Sequence, residues 1–219
     1  MGGLSGKYGR VIGLVLAGAV FSGAVHAQAF STRDARKQLF SANKNAVKVE
    51  ILPGALTPTQ TALMKTIIAN MKDNGLSNYY GAIAVSPVFF EKITSQPLEA
   101  AQSGLFQLTE RRHSLAAAER IAMTACREAA KSANAAPCLL AARILPKRYK
   151  PRAFSLSVLA TRAFKDFRKI RGPKAFAVSD FGVAFGSAKG AGATQAAVAA
   201  CNARVKGDAP RDCRVVVLD

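Results

Sequence analysis

Hydrophobic and polar positions fall into one succession that occurs twice along the chain. Downstream of Ser114, residues Ala118, Ile121, Ala122, Ala125, Cys126 and Ala129 recur at three- and four-residue intervals. They therefore share one face of a helix for which Ser114 is the cap. A polar turn, Cys138 and the apolar run 139–144 follow, and that run reads as a strand. Later, Ala193, Ala196, Ala197, Ala200 and Cys201 form a second helix face, followed by a polar turn, Cys213 and the apolar run 215–218. A further strand candidate stands ahead of each helix, 80–86 in the first case and 175–179 in the second. In the second, Asp180, Phe181 and Gly182 mark a turn and 183–185 a return strand. The return strand of the first falls within Val88 to Ser95.

Sliding the chain by 75 positions lays 117–144 on 192–219 without a gap, pairing Ala118 with Ala193, Ala122 with Ala197, Cys126 with Cys201, Lys131 with Lys206 and Cys138 with Cys213. Upstream, the pentapeptide 82–86 (Ala-Ile-Ala-Val-Ser) matches 175–179 (Ala-Phe-Ala-Val-Ser) at an offset larger by 18 residues. Matches of this kind read as an internal duplication. The expected fold is α+β: duplicated strand–strand–helix–strand units with local disulfides, plus an N-terminal strand–helix segment. In that segment 46–52 reads as a strand, and Thr57-Pro58-Thr59-Gln60 opens a helix with a cap, a first-turn proline and a glutamine at the third position. Its apolar face is Leu63, Met64, Ile67, Ile68 and Met71. Between the copies, Leu159, Phe164, Phe167 and Ile170 mark another short helix, stopped at Gly172-Pro173. The expected divisions are 1–27, 28–79, 80–145 (copy one), 146–173 (a basic connector) and 174–219 (copy two).

The first residues alter this picture by supplying an address. Lys7 and Arg10 precede an uncharged run from Val11 to Ala24, and Val25-His26-Ala27 presents small residues for signal peptidase. This is the three-part pattern of a secretory signal, with an apolar run too short to span a bilayer. Cleavage after Ala27 is expected, giving a periplasmic or secreted, soluble product. It leaves 192 residues with 29 Lys and Arg against 13 Asp and Glu, a formal charge of +16.

An even number of cysteines in an exported chain reads as disulfides. Cys126 and Cys138 are 12 positions apart, as are Cys201 and Cys213, so pairing within each copy is expected. Zinc ligation calls for short cysteine knuckles or added histidines, and His113 is the only histidine after Ala27. Neither a metal nor a cofactor is expected.

The succession of Ala-x-Ala-x-Ser, a glycine-containing hairpin, an alanine-rich helix ending in Cys, and Asp-Cys-x-Val-Val resembles a family of small secreted two-cysteine bacterial domains of unknown function, found in alphaproteobacterial exported proteins. In copy two the matching residues are Ala175, Ala177, Ser179, Gly182, Phe185, Gly186, Ala197, Cys201, Asp212, Cys213, Val215 and Val216. Copy one matches less closely, with Pro137 before its second Cys. The resemblance covers roughly half the chain and implies no catalytic residues.

Candidate chemistry is sparse. His113, beside Arg111 and Arg112, has no visible carboxylate to orient it and reads as an exposed loop residue before a helix cap. Ser86 and Ser179 occupy matching places and read as turn or capping serines, since a nucleophile needs a nearby base. Gly186 to Gly192 departs from the phosphate-loop pattern and reads as a hairpin exit and helix start. Charge is the stronger signal. Residues 147–174 hold ten cations (Lys147, Arg148, Lys150, Arg152, Arg162, Lys165, Arg168, Lys169, Arg171, Lys174) against Asp166 alone. A net positive chain attracts anionic polymers and headgroups. Specific nucleic-acid recognition calls for aromatics interleaved with the cations, whereas Phe164 and Phe167 belong to a buried helix face. The reading favoured is a non-enzymatic envelope protein, a disulfide-stabilised module whose basic face takes anionic envelope components or another protein. An exported enzyme with an unrecognised site is the alternative. The sequence leaves the oligomeric state undetermined.

Overall fold

A computed structural model describes residues 29–42, 47–76 and 78–219. The proposed signal segment and its cleavage site lie outside the described residues. In chain order the elements are α1 (Thr32–Gln38), β1 (Val47–Ile51), α2 (Pro58–Asp73), β2 (Gly81–Val85), α3 (Val88–Ser95), α4 (Pro97–Gln102), β3 (Phe106–Thr109), α5 (Leu115–Ser132) and β4 (Leu139–Pro146). They continue with α6 (Val158–Phe167), β5 (Lys174–Ser179), β6 (Phe185–Lys189), α7 (Ala193–Asn202) and β7 (Cys213–Leu218). The fold is mixed α+β with two antiparallel sheets, ordered β1-β4-β2-β3 and β6-β5-β7.

The two sheets agree in detail. In each, the first strand of the unit is central, flanked by its hairpin partner and by the strand that follows the cysteine helix. Val85 pairs with Phe106 as Val178 pairs with Phe185. Ala82 pairs with Arg143 as Ala175 pairs with Leu218, and the register shifts once in each ladder, after Ile83 and after Phe176. The disulfides are Cys126–Cys138 and Cys201–Cys213, each with Cα atoms 6.0 Å apart, a separation that suits a disulfide.

Alternation along each central strand sends two kinds of residue to opposite faces. Ala82 and Ala84 meet Ala118, Ala122 and Cys126 of α5, and Ala175 and Ala177 meet Ala193, Ala197 and Cys201 of α7. Small residues on both sides let helix and sheet backbones approach closely. At Gly186 in β6 an added Cβ would collide with the backbone of α7 at Cys201 N, Ala197 O and Ala200 C. Large residues occupy the other face. Ile83 and Val85 pack with Met64 and Ile68 of α2. Phe176 and Val178 pack with Ala160, Phe164 and Phe167 of α6. Phe164, Phe167 and Phe176 form a triangle of rings with centroids 5.3–5.7 Å apart. Burying each such ring is worth about 2–3 kcal/mol.

Several expectations need correction. Val88–Ser95 is helix α3, and the return strand of the first unit is Phe106–Thr109. Phe89 and Phe90 are buried there, at adjacent positions that a helix can turn into the core but an alternating strand cannot. The second return strand is Phe185–Lys189, placed after the expected 183–185. It includes Gly186, which had read as a hairpin exit. Helix α2 covers the large-residue face of the first sheet and helix α6 that of the second.

The segment after Gln28 crosses to the second unit. Phe30 bridges to β7 in parallel, its N–H donating to Val216 O (2.9 Å) and its carbonyl accepting from Leu218 N (3.0 Å). This seats α1, capped by Ser31, with Ala35 fully buried against the core beneath α6.

Candidate functional site

The cations of 147–174 have different fates, set by local structure. Helix α6 begins at Ser157, whose hydroxyl accepts from Ala160 N (3.3 Å). It turns Val158, Thr161, Phe164 and Phe167 inward, and so Arg162 and Lys165 outward, and Lys169 is exposed just past its end. Lys147, Arg148, Lys150 and Arg171 are also exposed, in the loops on either side of the helix. Arg152 is engaged in structure: its guanidinium donates to the carbonyls of Gln38 (2.7 Å) and Leu39 (3.0 Å) at the C-terminal end of α1 and lies 3.8 Å above the Phe40 ring. Arg162 donates to Ala42 O (3.3 Å).

Lys174 is not part of any surface. It is buried, and its ammonium donates to Ile170 O (2.8 Å) and Arg168 O (3.4 Å), 3.4 Å from the Asp219 carboxylate. The β5 register explains this, because position 174 lies on the closed edge of the ladder where its backbone pairs with Asp219.

The fold also adds cations that the sequence reading did not include. Arg33, Arg36 and Lys37 of α1 line an open depression together with Arg168. Both acids in it, Asp34 and Asp219, are engaged. Asp34 is paired with Lys37 at 3.2 Å, and the Ser31 hydroxyl and the Lys37 ammonium hold its carboxyl below the usual range. Asp219 accepts from Thr32 N at 2.8 Å. Across α6, Asp166 accepts from Lys169 (2.8 Å), which lowers its carboxyl likewise. Arg36 and Arg168 make no side-chain hydrogen bond or ion pair among the described residues. No motif in 31–38 could have linked them to α6, more than a hundred positions away; the Phe30 bridge to β7, the Thr32–Asp219 hydrogen bond and the bonds from Arg152 and Arg162 to the carbonyls of 38–42 bring them together.

A second locus lies between the two units. His113 is buried, contrary to the exposed loop residue expected, because α5 starts against the hairpin of the second unit. Ser157 N donates to His113 Nδ1 (3.4 Å), which leaves the proton on Nε2 to reach Ala184 O (3.0 Å). Arg112 donates to Phe181 O (2.8 Å) and Arg120 to Asp180 O (3.3 Å). Burial pushes the imidazole down to about 4, with the Arg112 charge adding and the Ala184 carbonyl and Asp180 opposing. With both ring nitrogens engaged, His113 has no lone pair to offer a nucleophile.

A cavity of about 170 Å³ beside it is lined by the apolar Phe30, Phe154, Val178 and Val216 and by the polar Ser114, Asp180 and Arg214. Arg214 and Asp180 pair at 2.7 Å. Ser179 is also committed: its hydroxyl donates to Asp212 (2.6 Å) and accepts from Gly182 N. Ser86 donates to Ala136 O (2.7 Å). Both serines thus fasten the ends of central strands. Among the described residues no three His, Cys, Asp or Glu side chains gather as metal ligands, and no helix is long and apolar enough to cross a membrane.

The chain matches no protein-family model, no curated protein and no solved structure. The cavity between the units offers no free base beside a nucleophile, whereas the α1–α6 face offers cations that no acid neutralises.

Proposed function

We propose that this protein is exported, is cleaved after Ala27, and acts outside the cytoplasm as a non-enzymatic binding module for anionic envelope components. The observation that carries this reading is the exposed cationic face on and around α6, where Lys150, Lys165, Lys169 and Arg171 stand clear of the core. The N-terminal signal pattern and the two disulfides support the address, since such bonds persist in oxidising compartments. The matching strand order, register and shift of the two units support their origin by internal duplication, in keeping with the resemblance to small secreted two-cysteine domains.

Attraction of this type is mostly counterion release, so it weakens steeply with salt and discriminates little among polyanions. It carries no sequence-specific recognition of nucleic acid. The test is retention of the mature chain on immobilised heparin at low and moderate salt, alongside a Lys150→Gln, Lys165→Gln, Lys169→Gln, Arg171→Gln variant. Retention is expected to fall with salt and to be largely lost in the variant, whose fold is kept because exposed charges contribute little to stability. Failure of the parent chain to bind at low salt, or retention that ignores both salt and the substitutions, overturns the reading.

A further inference from the structure

Beside the depression that holds Arg33, Arg36, Lys37 and Arg168 lies a cleft of about 190 Å³ between α1 and α6. Its rim is cationic: Arg36 from α1, Lys165 from α6, and Arg168 at the C-terminal cap of α6. Its interior is not. Phe164 and Ala42 are buried at its base, and Leu39 and Phe40 stand half-buried at its walls. Arg36 and Arg168 belong to both depressions, so an uncompensated guanidinium pair sits where a polar trough meets an apolar slot. A purely hydrophilic polyanion has use for the trough alone. A ligand that fills both carries a negative head and an apolar tail.

We propose that the α1–α6 cleft binds an anionic amphiphile, its phosphate or carboxylate head held by Arg36 and Arg168 and the first carbons of its chain lying against Phe164, Leu39 and Phe40. This rests on the reading of the basic face above and adds to it a ligand class. The polar wall is suited to the task. Thr161, at the base, has its hydroxyl turned to Leu156 O (3.2 Å), so no unsatisfied donor opposes the tail. Phe40 is held in place by the Arg152 guanidinium above it and by Tyr149, with ring centroids 5.8 Å apart. The slot walls are therefore in position before any ligand arrives, which lowers the ordering cost of binding.

Chain-length dependence separates this from bulk charge attraction. Each buried methylene raises affinity roughly fourfold, so three methylenes held in the slot beyond the four of a butyl chain give a gain of roughly sixtyfold. Isothermal titration of the mature chain with dodecyl phosphate below its micelle concentration, and with butyl phosphate, is expected to show at least a tenfold preference for the longer chain. Laurate tests whether a free carboxylate amphiphile suffices, and phosphatidylglycerol vesicles whether a lipid in a membrane is taken; binding of either with the same variant pattern supports the proposal. Arg36→Gln with Arg168→Gln should weaken every one of these ligands. Ala42→Leu, which fills the slot, should reduce dodecyl phosphate to the level of butyl phosphate while heparin retention stays.

Photo-crosslinking of a diazirine-bearing fatty acid to the unmodified chain reads the site independently, should Ala42→Leu fail to fold. Labelled peptides from 39–42 and 161–168 are expected. Equal affinity for dodecyl and butyl phosphate, or labelling confined to other peptides, overturns the amphiphile site even where heparin still binds. Loss of heparin binding as well removes the basic-face reading with it.

Discussion

Lowering the pH from 7 to 4.5 should weaken this fold chiefly through His113. The ring is buried between the N-terminus of α6 and the hairpin of the second unit, neutral, with Ser157 N–H directed at Nδ1. Protonation would place two N–H groups face to face. In the unfolded chain the imidazole takes up its proton near pH 6.5, whereas in the fold it does so only at about 4. The unfolded state therefore binds more protons throughout that window. The stabilising contribution is complete above about pH 6.5 and is lost as pH falls toward 4. Roughly 2.5 pH units of separation at about 1.4 kcal/mol each give about 3 kcal/mol. Asp34 and Asp166, whose carboxyls are held below their ordinary range, titrate beneath this window. Urea unfolding of the mature chain at pH 7.5, 6.5, 5.5 and 4.5 should show most of this loss. His113→Gln should be flat over the same range, since its neutral amide can donate to Ala184 O without titrating. A parent curve that is flat between pH 6.5 and 4.5, or a variant with the parent's slope, refutes the reasoning.

Two further outcomes follow from the fold. Replacing Cys126 and Cys138 together by Ala reopens a loop closed over 12 positions, which should cost about 3 kcal/mol by chain entropy and appear as a lower urea midpoint; non-reducing peptide mapping of the parent should link 126 to 138 and 201 to 213 only. Gly186→Ala drives a methyl into the α7 backbone and should destabilise by about 1–3 kcal/mol, read by thermal unfolding, while Gly190→Ala, which meets no neighbour but has φ +88°, tests strain without collision.

Much of this architecture can be read from residue spacing. The capping box at Thr57 and Gln60 forms as expected, with Thr57 N donating to Gln60 (3.1 Å) and Gln60 N to Thr57 (3.3 Å). The Ala and Cys faces of α5 and α7 lie against the sheets, and the cysteines pair within units. The failures have physical causes. Phe106–Thr109 is a four-residue strand with too short a pattern to register, and its ladder to β2 is what defines it. Val88–Ser95 holds Phe89 and Phe90 side by side, which mimics a buried strand. His113 looks exposed because only the hairpin around Ala184, 71 positions later, buries it. Leu159, one of the residues that mark this helix in the sequence, is 48% exposed because α6 turns Val158 and Ala160 inward on either side of it. The basic face was legible as charge, but its partners on α1 were not, since that contact depends on long-range pairings of Phe30 with β7, Thr32 with Asp219, and Arg152 and Arg162 with the carbonyls of 38–42.

The hydrogen bond from Thr32 to Asp219 spans 187 positions, and that separation has a kinetic consequence. The first sheet closes within 47–146 and the second within 174–218, so both can form over shorter loops than the one that docks α1. Loop closure costs more as the loop lengthens, and long-range contacts slow folding. Helix α1 is then expected to dock last and to open first by local fluctuation. The junction of α1 and α6 exists only in the completed protein, and a molecule held between Arg36 and Arg168 would act as a latch. Its binding would suppress that opening in proportion to its saturation, and amide exchange in 32–38 would slow while exchange in α5 would not.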